Sequence, residues 1–186
     1  MEHDAPKRKA GLLLALYAAC TLAIMAFIFF MSAQEGEESS SMSDTIAQWL
    51  LSLFMPGFDS WEPAAQEQLF GVLTHLVRKA AHMFEYAVLA TFATLTFQQA
   101  ALAQHMEATG KGGPAEGTRE LLPTWKQALA GLGLATAYAA TDEFHQLFVA
   151  GRSALASDVF IDACGAAIGA VLVTLALRWW RTRKPR

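Results

Sequence analysis

Cysteine is scarce in this sequence, and the usual signatures of several enzyme classes are missing. The two cysteines, Cys20 and Cys164, both fall inside long apolar runs, so a disulfide framework is not expected. The chain has no internal repeat and no sign of a second domain, and it contains neither a His-Glu-x-x-His metal motif nor a recognisable nucleophile motif. The sequence therefore predicts one domain, 1–186, and excludes disulfide-rich secreted proteins and that class of zinc protease.

Apolar residues, in contrast, are abundant. They make up 54% of the 186 residues, and the mean hydropathy is +0.28. Runs at about 11–31, 78–99, 127–149 and 154–177 are each long enough to cross a bilayer, which takes about 20 residues. The first run exceeds the apolar core of a signal peptide, about 7–15 residues, so it is expected to be retained. These runs predict an all-α membrane protein with four transmembrane helices.

Lysine and arginine are unevenly distributed about these spans. Of the 14 such residues, only Arg78, Lys79 and Arg152 fall on the side opposite the termini. Because basic residues are enriched on the cytoplasmic side, both termini of this multi-pass protein should be cytoplasmic, and the membrane should be the cytoplasmic (inner) one. Residues 100–126 then form a flexible cytoplasmic loop.

The segment between the first two spans is expected to lie outside the cytoplasm. Residues 35–43 are polar and are predicted to be a solvated loop. Asp44 suits the N-cap of a short amphipathic helix, which carries Trp49 and would lie on the outer membrane surface. Pro63 suits the first turn of a further helix that continues into the second span.

Ionisable residues occur in the outer parts of spans two, three and four. Each costs about 2.5–3.5 kcal/mol near a bilayer centre on insertion scales, so such residues indicate a functional site by default. The predicted topology brings them to one depth on one side of the membrane, and helical spacing places several of them on shared faces. Gly165 and Gly169 continue one such face and should pack against a neighbouring helix. The candidate ligand-binding residues are Arg78, Lys79, His82, Glu85, Tyr86, Asp142, Glu143, His145, Gln146, Arg152, Asp158 and Asp162.

Taken in order, these polar blocks resemble a known family. The blocks are Ser32-x-Gln34 with Ser39 and Ser43, Arg78-Lys79-x-x-His82-x-x-Glu85-Tyr86, Asp142-Glu143-x-His145-Gln146, and Gly151-Arg152 with Asp158 and Asp162-x-x-Gly165. They resemble the VanZ-like family over most of the chain, although Ala150 replaces a frequent Pro and Asp162 a frequent amide. The resemblance implies a small multi-pass membrane protein of the cell envelope. Because the family's name-giving protein is linked to low-level teicoplanin resistance, a contribution to glycopeptide antibiotic resistance is an expectation for this chain.

The same residues allow other interpretations. Asp142 paired with Arg78 or Arg152 could serve only to hold helices together, and the histidines could be hydrogen-bonded groups at the membrane surface. A metal site is a further alternative, because imidazoles and carboxylates bind transition metals. Its ligands would come from His82, Glu85, Asp142, His145 and Asp158.

Three classes of function follow. In the first, the outer-leaflet pocket binds an amphiphile with an anionic head, either a membrane lipid or a lipid-linked wall precursor. In the second, the protein is a metal-dependent or acid–base hydrolase of a lipid-linked substrate, with Glu143 or His145 as general base. In the third, it is a structural subunit of a membrane complex. The binding function is favoured, with no cofactor and no nucleic acid partner, and the sequence does not define an oligomeric state.

Overall fold

The computed structural model describes residues 5–34, 36–109, 125–152 and 155–183. These residues form five α-helices and one short 3-10 helix, Phe58–Ser60, and they contain no strand. The all-α prediction is therefore confirmed. The helices are α1 (Ala5–Ser32), α2 (Gly36–Phe54), α3 (Pro63–Thr109), α4 (Trp125–Gln146) and α5 (Ala156–Arg183).

Three helices are long and apolar enough to cross a membrane: α1 over Lys7–Ser32, α3 over Pro63–Ala108 and α5 over Ala156–Trp180. Within the described residues, α4, the predicted third span, is not apolar enough to be counted with them. Its C-terminal turns are rich in polar groups, which lower its hydropathy. Large apolar side chains are exposed on the outside of the bundle; Phe30 is 67% exposed and Leu172 60%. Such helices are typical of a membrane protein.

Contacts along the bundle define the direction of each helix. Helices α3 and α5 run the same way, because Lys79 pairs with Asp158 and, further along both helices, Gly169 lies against the backbone of Ala87. Helix α1 lies beside α3, with the hydroxyl groups of Thr21 and Thr96 3.1 Å apart. Helix α4 runs the opposite way to α3, since Gly131 lies against Thr94 and, two turns further along α4, the rings of Tyr138 and Tyr86 are 6.5 Å apart.

Helix α4 is parallel to α1. The Tyr138 hydroxyl donates to the Met25 carbonyl oxygen at 2.7 Å, and two turns later Gln146 Nε2 donates to Ser32 Oγ at 3.0 Å. The core between the four helices is built mostly from small side chains, which let backbones approach closely. Its buried members are Ile28, Tyr86, Leu89, Ala90, Ala135, Ala139, Ala166 and Ala170.

Helix α2 packs on the N-terminal third of α3. Ala47 and Leu51 are buried in this contact, and the Thr74 hydroxyl donates to Asp44 Oδ1 at 2.9 Å. Two predictions are corrected here. The segment expected to be a solvated loop, 35–43, is helical from Gly36, and Asp44 is therefore an interior residue of α2 and not its N-cap. Packing on α3 and the hydrogen bond to Thr74 stabilise helix where the polar composition alone favoured a loop.

Helix α3 is one continuous helix of 47 residues, about 70 Å at a rise of 1.5 Å per residue. Pro63 stands in its first turn, as predicted. The helix extends to Thr109 and α4 begins at Trp125, so both ends of the predicted loop 100–126 are helical, which corrects that boundary. The rest of this loop, 110–124, lies outside the described residues.

Candidate functional site

A polar cavity lies at the end of the bundle where α1 and α4 finish and α5 begins. Its volume is about 130 Å³. Its walls come from the middle of α3, the last turns of α4, the turn after α4 and the first turns of α5. The lining residues are His75, Arg78, Lys79, His82, Glu143, Gln146, Gly151, Arg152, Leu155, Asp158 and Asp162.

Helix α3 contributes a face of basic and imidazole side chains. His75, Arg78, Lys79 and His82 follow the i, i+3, i+4, i+7 spacing of a single helical face and all line the cavity. His75 is absent from the residues expected from the sequence. Extending the same helical spacing by one turn toward the N-terminus would have identified it, although that part of α3 precedes the apolar run.

Helix α5 contributes carboxylates opposite that face. Asp158 Oδ2 forms an ion pair with Lys79 Nζ, and Asp162, one turn later, is only 3% exposed. The close approach of the two helices depends on Gly165 and Gly169, where a Cβ atom would overlap backbone atoms of α3. The glycines thus set the distance at which the α5 carboxylates meet the α3 cations.

The end of α4 is tied to both of its neighbours. Gln146 Nε2 donates to Asp142 Oδ2 at 3.2 Å and to Ser32 Oγ at the end of α1. Glu143 Oε2 accepts a hydrogen bond of 3.1 Å from the backbone N–H of Leu155, just before α5. One oxygen of the Glu143 carboxylate is therefore engaged in holding the turn between α4 and α5.

Arg152 joins this turn to α1. Its Nε donates to the Gln34 carbonyl oxygen and its Nη2 to the Met31 carbonyl oxygen, both at 3.2 Å. Both carbonyl groups lie at the C-terminal end of α1, where a cation is favourable. Gly151, with φ of 72°, supplies the left-handed backbone that the turn requires.

Charges of both signs surround Arg152, namely the cation of Arg78 and the carboxylates of Asp142, Glu143 and Glu85. Burial lowers the pKa of its guanidinium group, and the neighbouring Arg78 lowers that pKa further. The two hydrogen bonds of Arg152 go to main-chain oxygens, and among the α5 carboxylates Asp158 pairs with Lys79.

Four of the predicted site residues do not line the cavity: Glu85, Tyr86, Asp142 and His145. Glu85 Oε2 lies 3.8 Å from His82 Nδ1, and Tyr86 is completely buried in the core. The His145 ring packs on Phe29, with ring centroids 4.7 Å apart. These residues surround the cavity without facing it, and Asp142 reaches it only through its hydrogen bond to Gln146.

The geometry does not support the metal alternative. Within the described ranges, no three or more His, Cys, Asp or Glu side chains are grouped so that they could hold a metal ion together. This statement applies to all five proposed ligands, which are His82, Glu85, Asp142, His145 and Asp158.

Several exposed aromatic residues are close in sequence to the charged residues of the site. Phe84, Phe144, Phe148 and Phe160 are all more than 60% exposed, and each lies within a few residues of a charged site residue. Phe144 and Phe148 contact each other edge to face, with centroids 5.4 Å apart. Exposed apolar side chains thus neighbour the charged residues of the site along the chain.

Comparison with known proteins gives one match. A protein-family model described as VanZ/LLP1 matches residues 17–177. The matched region includes every residue of the cavity wall. No curated protein and no solved structure matches the chain.

Proposed function

Because this chain belongs to the VanZ/LLP1 family, we propose that it is a four-span envelope membrane protein that binds an amphiphile by its anionic head group. In this proposal both termini are cytoplasmic and the cavity lies in the outer leaflet. The ligand is a membrane lipid or a lipid-linked wall precursor, and the protein holds it without converting it. If the ligand is wall-related, its capture would contribute to teicoplanin resistance.

The basic groups that face the cavity carry the proposal. Arg78, Lys79 and Arg152 all line it, and two histidines lie on the same face of α3. Hydrogen bonds from charged donors to phosphate or carboxylate are about twice as strong as neutral ones. A phosphate or carboxylate group is therefore the ligand chemistry that this wall recognises best.

Two observations support a fourth span in α4. Its 22 residues correspond to about 33 Å, close to the thickness of a hydrocarbon core of about 30 Å. It also contacts the apolar helix α1 at Met25 and again at Ser32, so it runs beside α1 through the same layer. Polar residues in α4 lower its hydropathy, but Asp142, Glu143 and Gln146 are buried and do not face lipid.

The exposed aromatic side chains near the site residues support entry from the membrane. Leu155 lines the cavity and is 53% exposed, so the cavity wall is continuous with an apolar outer surface. An acyl chain could remain on that surface while the head group enters. The cavity is smaller than the roughly 300–1,000 Å³ of sites that enclose a drug-sized ligand, so only part of a large head group would be held.

Hydrolysis is less well supported than binding. Glu143 lines the cavity, but one of its oxygens already accepts the Leu155 N–H. His145 packs against Phe29 and does not line the cavity, so neither candidate general base is poised beside a bound head group.

A binding experiment with lipids of matched acyl chains tests the proposal. The purified full-length protein in detergent should bind short-chain phosphatidylglycerol more tightly than the corresponding diacylglycerol, which lacks the phosphate. Arg78→Gln should weaken phosphatidylglycerol binding at least about tenfold, since a charged hydrogen bond is worth about 1.5–3 kcal/mol. Arg178→Gln is the matched control, because Arg178 is exposed at the far end of α5. Equal binding of both lipids, or equal effects of both variants, would overturn the proposal.

A further inference from the structure

The cavity contains as many acidic side chains as basic ones. Arg78, Lys79 and Arg152 are matched by Glu143, Asp158 and Asp162, all of which line the same 130 Å³ space. Two of the cations come from α3, whereas all three carboxylates come from α4 and α5.

This balance limits the net charge of the ligand. Transferring an unpaired charge into a low-dielectric site carries a large desolvation penalty, which a neighbouring opposite charge offsets. The cavity is already formally balanced when its histidines are neutral, so a purely anionic head would leave one negative charge in excess. A head group that carries both an anion and a cation preserves the balance.

Asp162 marks the place for the cationic part of such a head group. It lines the cavity and is 3% exposed, yet it forms no hydrogen bond and no ion pair within the described part of the chain. The other two acids are engaged, Asp158 with Lys79 and Glu143 with the Leu155 N–H. A buried carboxylate without a partner is costly, and a ligand that donates hydrogen bonds to it would remove that cost.

The size of the cavity restricts the ligand further. At about 130 Å³, the cavity is well below the roughly 300–1,000 Å³ of sites that enclose a drug-sized ligand. A phosphate ester with a short amine would therefore be held more completely than a larger sugar or peptide.

We propose that this cavity takes a zwitterionic head group, a phosphate ester bearing a primary ammonium group, as in an aminophospholipid. The phosphate would face Arg78 and Arg152, and the ammonium group would donate to Asp162. This inference rests on the proposed function and identifies the class of amphiphile that the site selects.

The test compares three short-chain lipids with the same acyl chains on the purified full-length protein. They are phosphatidylethanolamine, its N-acetylated form, which has lost the ammonium charge, and phosphatidylglycerol. The wild-type protein should bind phosphatidylethanolamine at least about tenfold more tightly than either of the others, the ratio expected from one charged hydrogen bond.

Asp162→Asn should abolish this preference. It should weaken phosphatidylethanolamine binding while leaving phosphatidylglycerol binding equal or tighter, because one negative charge has been removed. Glu67→Gln, an exposed carboxylate on α3 far from the cavity, should leave the preference unchanged. If Asp162→Asn does not fold, the comparison of the three lipids on the wild-type protein still decides the question.

The outcomes separate this inference from the proposed function. Equal affinity for phosphatidylethanolamine and phosphatidylglycerol, both above that for diacylglycerol, would overturn the zwitterion inference and retain the anion-binding function. Equal weakening of both phospholipids by Asp162→Asn would likewise contradict the inference. If no phosphate-bearing lipid binds more tightly than diacylglycerol, both fail.

Discussion

A single added methyl group at Gly169 should disrupt the contact between α3 and α5. An ideal Cβ atom there would lie 2.8 Å from the Cα atom of Ala87 and would overlap its carbonyl oxygen. Carbon atoms pack at about 3.5–4.0 Å, so α5 must move away by roughly 0.7–1.2 Å. Because the obstructing atoms belong to the backbone, no side-chain rotation can relieve the overlap. Overpacking of this kind typically costs about 1–3 kcal/mol.

The steric cost can be isolated with a matched control. Gly133→Ala is also a glycine-to-alanine change within a helix, but a Cβ atom at Gly133 would meet nothing within 4 Å. Both variants gain about 0.5–1 kcal/mol from the higher helix propensity of alanine. The difference between them in the free energy of unfolding, measured in detergent, should therefore be about 1–3 kcal/mol, with Gly169→Ala less stable. Equal stabilities would refute the inferred close packing of the two helices.

Three further predictions concern topology and two polar contacts. In a cysteine-free background, an impermeant thiol reagent should label Glu67→Cys in intact cells but not Glu107→Cys, because the positive-inside rule places the two ends of α3 on opposite sides; the reverse pattern would overturn the topology. Lys79→Met and Asp158→Leu should each destabilise the protein. In a double-mutant cycle, the double variant should be about 0.5–3 kcal/mol more stable than the sum of the two single effects predicts, whereas additivity would show that the ion pair contributes nothing. Arg152→Lys should lower thermal stability by about 1–3 kcal/mol, because lysine cannot reproduce the two hydrogen bonds to α1; an unchanged melting temperature would contradict that role.

Local pattern accounts for most of the helices that the sequence predicted. Long apolar runs and the proline at position 63 located α1, α3 and α5, because a helix in an apolar environment must satisfy its own backbone hydrogen bonds. The start of α2 was not predicted, because the prediction relied on local sequence pattern. Its first residues are polar and carry no local signal for helix, and the helix there is stabilised by packing on α3 and by the bond between Asp44 and Thr74.

The sequence predicted most of the residues of the site, but not which of them line the cavity. The predicted topology indicated that residues of spans two, three and four, such as His82, Glu143 and Asp158, would come together, and all three line the cavity. It could not distinguish residues that face the cavity from those one position away, such as Asp142 and His145, which are next to Glu143 and Gln146. His75 was overlooked because it precedes the apolar run, although it has the same spacing.

What the sequence determined by itself is what depends on neighbours along the chain: the helical class, the apolar spans, the unusual carboxylates within them and the family. What only the tertiary structure decided is which polar groups meet. Arg152 binds carbonyl oxygens 118 and 121 residues away, and Gln146 reaches Ser32 across 114 residues. A main-chain oxygen can belong to any residue type, so the sequence does not reveal which residue accepts such a hydrogen bond. The packing of α5 on α3, set by backbone contact at two glycines, therefore decided the shape of the cavity.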